Sequence, residues 1–467
     1  MGKIRRRWLR GIADAPAETQ QARVAVLTLL AISLILPLTV DAAAPPAKAP
    51  RAVVILPFDA STLSRDEQWL AEGLAQLVSL GLTQHPGVVV IDRGRLRAAR
   101  QPDVWNEAAA TQAARGAHAD AALFGRVTRA AGEIVIQPLV VEAKGTSGEA
   151  VPLESITTPD ADLLTRAAAL PVLFARAVKV SVSETEAARM ERAAKPTKSL
   201  RGLELYARGE AAAAKGGQEA NETAVELLSR AIEVDPNFVV AHYTLGMIHQ
   251  NLGNRWKAAA QFRAATQLDA AYPEPYKALG DLFLAAPRRL FDQAVEAYTK
   301  AIELRPFYAD AYVGLGDARA AKGDVDGAVK AYQTALVHNP LNPKVHMSLG
   351  KIYYAEKGLY YESVNAYKKA IELDPSSVDA RMGLGEVYED KGLYKEAMGE
   401  YKHVVELDSK HTGAMYNLAL VYEKVDPKEA IAQWERYIAL ASQLPSEKDW
   451  VDVARQHLRK LKSTVKD

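Results

Sequence analysis

The chain of 467 residues contains no cysteine. That excludes disulfides, thiolate metal sites, a cysteine nucleophile and a lipidated N-terminal cysteine. It leaves the compartment open, because an oxidising space tolerates a chain without thiols. Net charge is lacking too. Fifty-eight Lys and Arg stand against 57 Asp and Glu, a balance of +1. No global basic field therefore points to nucleic acid. Catalytic signatures are also missing. No His-Glu-x-x-His, Gly-x4-Gly-Lys or Gly-x-Ser-x-Gly run occurs. The reading is a non-enzyme without a cofactor or metal. What is present is ordinary for folded protein: 49% hydrophobic and 25% charged residues, in a length that suits two or three domains.

One long apolar run exists, residues 24–40 (VAVLTLLAISLILPLTV), preceded by Lys3, Arg5, Arg6, Arg7 and Arg10. Pro37 and the small-residue site Val40-Asp41-Ala42 complete the layout of a secretory signal. Seventeen residues is also the lower limit of a spanning helix. The long first section, with Asp14 and Glu18, suits an uncleaved inner-membrane anchor. Residues 1–42 are thus a signal peptide or an anchor, with a buried core helix as a third option. Either of the first two places the body in the periplasm, free or anchored at the inner membrane through residues 24–40. Arg5-Arg6-Arg7-Trp8-Leu9-Arg10 resembles a twin-arginine signal, but the gap before the apolar run is long. Residues 43–50 (AAPPAKAP) read as a semi-stiff linker.

Residues 51–182 have a different texture. Val53-Val54-Ile55-Leu56, closed by Pro57, is a buried strand. Residues 67–82 place Leu70, Leu74, Leu77 and Gly81 on one helical face. His85-Pro86-Gly87 stops that helix before a strand from Val88 to Ile91. An Ala-rich helix at 106–117 follows. Ala121–Thr128 and Glu133–Glu142 form two strands around a turn at Ala131-Gly132, and 161–180 is a helix. This order predicts a small α/β domain. Residues 183–198 are a charged linker helix ending in a hinge at Lys195-Pro196-Thr197-Lys198. Asp59, Asp66 and Glu67 cluster after the first strand, where carboxylates can bind metal or move protons. Ser64 followed by Glu67 fits a capping box, which explains them structurally.

From about 199 onward a block recurs. Ala231-Ile232-Glu233-Val234-Asp235-Pro236 returns as Ala301–Pro306 and as Ala370–Pro375. Gly246, Gly280, Gly316, Gly350 and Gly385 are spaced 34, 36, 34 and 35 residues apart, and Ala419 stands 34 further on. A fixed period of this length means a stacked helical array. Small and aromatic residues alternate in the second helix of each block: Ala294, Tyr298, Ala301; Ala328, Tyr332, Ala335; Ser363, Tyr367, Ala370. The small residues let helices approach and each ring fills the hole between pairs.

Two resemblances follow. Val53–Phe58, Trp69–Leu74, Pro86–Asp92 and Ala121–Gly125 are similar to the TolB N-terminal-like domain of bacterial envelope proteins. That family implies a domain that assists protein contacts. Tyr276-x-x-Leu279-Gly280-x-x-Phe283, Leu349-Gly350-x-x-Tyr353 and Leu384-Gly385-x-x-Tyr388 resemble the tetratricopeptide repeat. The expected fold is α-rich: a small α/β domain, then an all-α tetratricopeptide-repeat solenoid. About seven repeats occupy 199–445 and a capping helix 446–467, since the end of an array needs a polar-backed cover.

The repeat resemblance implies a concave groove lined by first helices. The equivalent positions are Tyr243, Met247, Glu274, Lys277, Asp281, Asp310, Val313, Asp317, Met347, Lys351, Met382, Glu386 and Tyr416. Glu274, Asp281, Asp310 and Asp317 make one wall acidic, which attracts a basic segment; solvated surface polarity is the plainer reading. The partners implied are other proteins, as peptide or helix in the groove, within an envelope complex. The function implied is a scaffold. A sensory or regulatory subunit, relaying a signal through the α/β domain, is the alternative. His242 and His249 share a helix seven residues apart, too far to chelate one metal without a third ligand. His346 takes an aromatic core position.

Overall fold

The computed structural model describes residues 49–91, 105–143 and 149–464. The basic cluster, the apolar run at 24–40 and most of the Pro/Ala-rich linker lie outside the described residues.

The first body is built on strands β1 (Arg51–Ile55), β2 (Val88–Ile91), β3 (Ala121–Ala130), β4 (Glu133–Glu142), β5 (Val151–Pro152) and β6 (Ile156–Thr158). Its helices are α1 (Leu70–Leu82), α2 (Glu107–Gly116), α3 (Leu163–Ala167) and α4 (Leu170–Ala177). The sheet order is β2-β1-β3-β4-β5, with β6 also paired to β4. β1 runs parallel to both β2 and β3, while β3 and β4 form an antiparallel hairpin. Ala131 (φ 51°) and Gly132 (φ 86°) close that hairpin in the left-handed region, which matches the twist of its strands. Alternation sorts the side chains. Val53, Ile55, Leu123, Ile136 and Val140 pack toward α1 and α4. Ala52, Val54, Leu56, Ala122 and Phe124 pack toward α2. A strand covered on both faces must be apolar throughout, hence the continuous run in β1.

Three details differ from the sequence reading. α1 begins at Leu70, because Ser64 and Glu67 close a turn of their own. The Ser64 hydroxyl donates to Glu67 Oε2 at 2.6 Å, and the Glu67 amide donates to the Ser64 carbonyl at 2.9 Å. The helix expected at 161–180 is split into α3 and α4, with Pro171 in the first turn of α4. Proline lacks the amide that an unbroken helix would need there. β5 and β6 are too short to leave a periodic trace. Next comes α5 (Glu184–Ala193), capped by Ser183 and Glu186 in a reciprocal box. The segment read as a linker and hinge is packed: Met190 and Ala194 are fully buried in the core beneath α1.

Seven helix pairs follow among the described residues: α6 (Leu200–Lys215) with α7 (Gln218–Val234), α8 (Val239–Asn251) with α9 (Arg255–Leu268), and α10 (Pro273–Leu284) with α11 (Phe291–Leu304). Then come α12 (Ala309–Lys322) with α13 (Val325–His338), α14 (Pro343–Ala355) with α15 (Tyr360–Leu373), α16 (Val378–Asp390) with α17 (Tyr394–Leu407), and α18 (Thr412–Val425) with α19 (Pro427–Ala441). A final helix, α20 (Lys448–Thr464), covers the last pair.

Three devices repeat along this array. In the five middle pairs a ring on the second helix lies over a glycine of its first helix. A Cβ on Gly280 would sit 2.7 Å from the Tyr298 ring, and one on Gly316 2.6 Å from Tyr332. Five of the second helices, all but α11 and α19, end at an Asp or Asn whose side chain accepts the amide two residues on, as Asp269 does from Ala271, Asn339 from Leu341 and Asp374 from Ser376. Finally, a polar side chain early in the first helix bonds the carbonyl six residues before it. Tyr312 donates to Pro306 at 3.1 Å, and His346 contacts Pro340 at 3.2 Å.

The first pair shares its core with the α/β body. The Gln76 amide donates to Glu210 at 3.3 Å, and Arg208 donates to the Asp66 carbonyl at 3.0 Å. One buried cluster runs from the sheet through α1 to Tyr206, Leu228, Phe238 and Leu245. The body also reaches farther along the array. The Arg189 guanidinium lies 5.8 Å from the Phe307 ring centre, and Leu341 packs on the α2 face. Among the described residues, no helix is long and apolar enough to cross a membrane.

Candidate functional site

The thirteen groove positions all lie on first helices. Tyr243 and Met247 are on α8; Glu274, Lys277 and Asp281 on α10; Asp310, Val313 and Asp317 on α12; Met347 and Lys351 on α14; Met382 and Glu386 on α16; Tyr416 on α18. Spacings of three and four residues put those of one helix on one face. Asp310, Lys351 and Glu386 are exposed and the others are half-buried.

Partners within the fold engage most of the acids. Lys277 Nζ lies 2.8 Å from Asp281 Oδ2, and the Tyr298 hydroxyl donates to Asp281 Oδ1 at 2.7 Å. The Tyr332 hydroxyl donates to Asp317 at 2.5 Å. Glu274 forms an ion pair with Arg305 at 2.8 Å, with only 15% and 6% of their side chains exposed. Asp310 points into solvent. The acids still act as a field. Burial pushes the Tyr243 phenol far up, and the charges of Glu274, Asp281, Asp310 and Glu210 push it further. Asp317 is likewise raised by burial; the Tyr332 hydrogen bond opposes this and Asp281 adds to it. Burial works to discharge Lys277, yet Asp281, Asp310 and Asp317 hold its affinity for the proton above the usual lysine range.

Beyond α12 the floor changes. Met347, Met382 and Tyr354 form an adaptable apolar stretch. Tyr416 is closed in by the cap: its ring centre lies 5.0 Å from Trp434 and 5.4 Å from Trp450. It belongs as much to the terminal cluster as to the groove.

Arg305 was missed by the sequence reading. Its signal was its place at a second-helix stop, where the other pairs have Asp235, Asp269, Asn339, Asp374 and Asp408. Arg305 cannot close the local turn with an acceptor. It pairs with Glu274 and stacks 4.9 Å from the Tyr308 ring.

The carboxylates after β1 are not gathered into a site. Glu67 pairs with Arg129 at 2.5 Å, and its hydrogen bond from Ser64, then that from Arg129, hold its carboxyl below the usual range. Asp59 lies 3.7 Å from Arg126 and accepts the Ser61 amide. His242 contacts Gln261 and the Pro236 carbonyl, whereas His249 is buried. Among the described residues no group of three His, Asp or Glu side chains is placed to hold a metal ion. A surface cleft of about 530 Å³ opens over Tyr276, Leu279 and Phe283, on another face of α10 and α11.

Models of the tetratricopeptide repeat match residues 239–272, 277–343, 321–360 and 378–411, and a further TPR-repeat model matches 354–392. Residues 239–411 carry tetratricopeptide repeats. The chain is 34% identical over 116 residues to small glutamine-rich tetratricopeptide repeat-containing protein 2 of Mycosarcoma maydis, across 25% of this chain and 32% of that protein. It is 27% identical over 123 residues to the probable UDP-N-acetylglucosamine–peptide N-acetylglucosaminyltransferase SPINDLY of Hordeum vulgare, across 25% of this chain and 13% of that one. Both alignments span less than a third of the relatives' length. Among solved structures, MamA matches at 26% identity and a TM-score of 0.32, covering 36% of this chain and 95% of MamA. Tetratricopeptide repeats form scaffolds for protein–protein interaction, and the repeats here supply such a surface.

Proposed function

We propose that the chain is a non-catalytic, exported scaffold whose groove captures a basic segment of a partner protein. The observation that carries this is the row of carboxylates on the groove faces of α10 and α12: Glu274, Asp281, Asp310 and Asp317. Opposite charge steers a basic peptide or amphipathic helix toward that wall. The methionines downstream then accept apolar side chains of varied shape, as flexible thioethers do.

The α/β body, read as TolB-like, orients a second partner within an envelope complex. Export rests on the layout of residues 1–42 and is tested by the N-terminal residue of the purified mature protein. A regulatory subunit is the second reading. The unbroken core between α1 and α6 favours it, because a change at the α/β body would be felt by the first repeat.

The groove is tested with the double variant Asp310→Lys, Asp317→Lys and two synthetic amphipathic peptides, one basic and one acidic, titrated calorimetrically. The wild type should prefer the basic peptide, and the variant should lose about tenfold or more in affinity for it. Equal binding of the acidic peptide by the wild type would remove the charge argument. The same titration at lower pH should weaken binding as carboxylates protonate. For Asp317 that loss begins above the ordinary aspartate range, because its proton affinity is raised.

A further inference from the structure

The second helix pair differs from the rest in charge. Between Asn237 and Leu268 there is no aspartate or glutamate, while Arg255, Lys257 and Arg263 are all exposed. Trp256, the second residue of α9, is 89% exposed. The next turn on the same edge of the array joins α10 to α11. It carries exposed Arg288 and Arg289, the latter held at φ 53°, again without an acid from Leu282 to Phe291. Among the described residues, none of these five cations takes part in an ion pair.

The turns that end α12 and α14 show what is different. There the turn lysine reaches back to an aspartate at the second position of the preceding second helix: Lys322 to Asp292, and Lys357 to Asp326 at 2.5 Å. Trp256 occupies that position in α9. The cations that follow it therefore lack the acid that their counterparts use. The result is a ring standing free of the fold, surrounded by unpaired positive charge, on the turn edge and not in the groove.

We propose that this edge docks on an anionic phospholipid bilayer. An amphipathic indole flanked by Arg and Lys suits the headgroup layer, where the ring meets acyl carbon and the cations meet phosphate. The charge complementarity is local, so the chain's overall balance of +1 does not weaken it. Turn tips on an array edge can meet a flat surface.

The test uses the full chain with vesicles of pure phosphatidylcholine, or with phosphatidylglycerol added, and brominated lipids as fluorescence quenchers. The apolar run at 24–40 is present in every arm. Comparison of wild type with Trp256→Phe isolates the Trp256 signal. Quenching of Trp256 on anionic vesicles only is expected. In Arg288→Glu/Arg289→Glu it should fall by about tenfold or more in lipid affinity, with unchanged circular dichroism. Quenching that is equal on neutral vesicles, or unaffected by the charge reversal, overturns the proposal. So does a Trp256 signal that responds to duplex DNA or polyglutamate and to neither type of vesicle.

Discussion

Tyr298 shows how a single residue type spaces the array. Its ring is held between Gly280 of its own pair and Gly314 of the next, and a Cβ on either glycine would enter the ring. Its hydroxyl meanwhile orients Asp281 toward the groove. Packing and the candidate binding surface are thus joined in one side chain. Gly314→Ala should cost about 1–3 kcal/mol, because the ring has no free space to enter. Gly399, on α17, has nothing within 4 Å of its missing Cβ. Gly399→Ala should instead stabilise by about 0.5–1 kcal/mol through helix propensity. Thermal melts of the two variants should move in opposite directions. Equal shifts would mean that the rings are not what sets the spacing.

At the scale of the element, α8 carries the most unusual polar side chain. Four other first helices place Phe283, Tyr353, Tyr388 or Tyr422 where α8 has His249, and α12 has Arg319 there. That imidazole is 8% exposed, and its Nδ1 has no hydrogen-bond partner among the described residues. Burial, then the charge of Lys257, lowers its affinity for a proton below the ordinary value of 6.5. The folded state therefore favours the neutral ring, and as pH falls below about 6.5 the unfolded chain takes up the proton first. The stability this group contributes is present above that pH and is lost as pH drops through its folded value. Unfolding midpoints should decline below pH 6.5, and His249→Phe should flatten part of that decline; denaturant melts from pH 8 to 5 test it. His338 and His346 are lowered by burial as well, so a residual slope remains in the variant.

For the whole molecule, the problem is how a stack of like units ends. Each pair covers the apolar side of its neighbour, so the two outermost sides need something else. At the start the α/β body provides it, sharing one core with α6, α7 and α8. At the end α20 provides it, placing Val451 and Ala454 against Trp434 and Tyr437. Deletion of residues 448–467 should expose those rings. The loss is about 1.5–3 kcal/mol for each large apolar side chain uncovered. Because contacts at this end of the array pass mainly between neighbouring pairs, the damage should stay in the last pairs. Hydrogen exchange should rise in α18 and α19 while the sheet remains protected. A uniform rise across the chain would show instead that the molecule unfolds as one unit.

The fold class was legible in the order of residues because its main causes are local. Glycine beats, ring spacing and proline stops report how one helix meets the next, and that geometry recurs every 34 to 36 residues. The continuous apolar run in the first body likewise marks a strand covered on two faces. What the sequence left open depended on contacts between residues distant in the chain. The segment at 183–198 read as a hinge, since nothing nearby shows that Met190 fills a space under α1. The acidic wall was visible as a list of residues. Its field depends on which acids the fold gives to Arg305, Lys277, Tyr298 and Tyr332, and on how deeply the groove desolvates them. Helix pairing follows from short-range pattern, but charge in a groove follows from distance and burial, and only the packed chain has those.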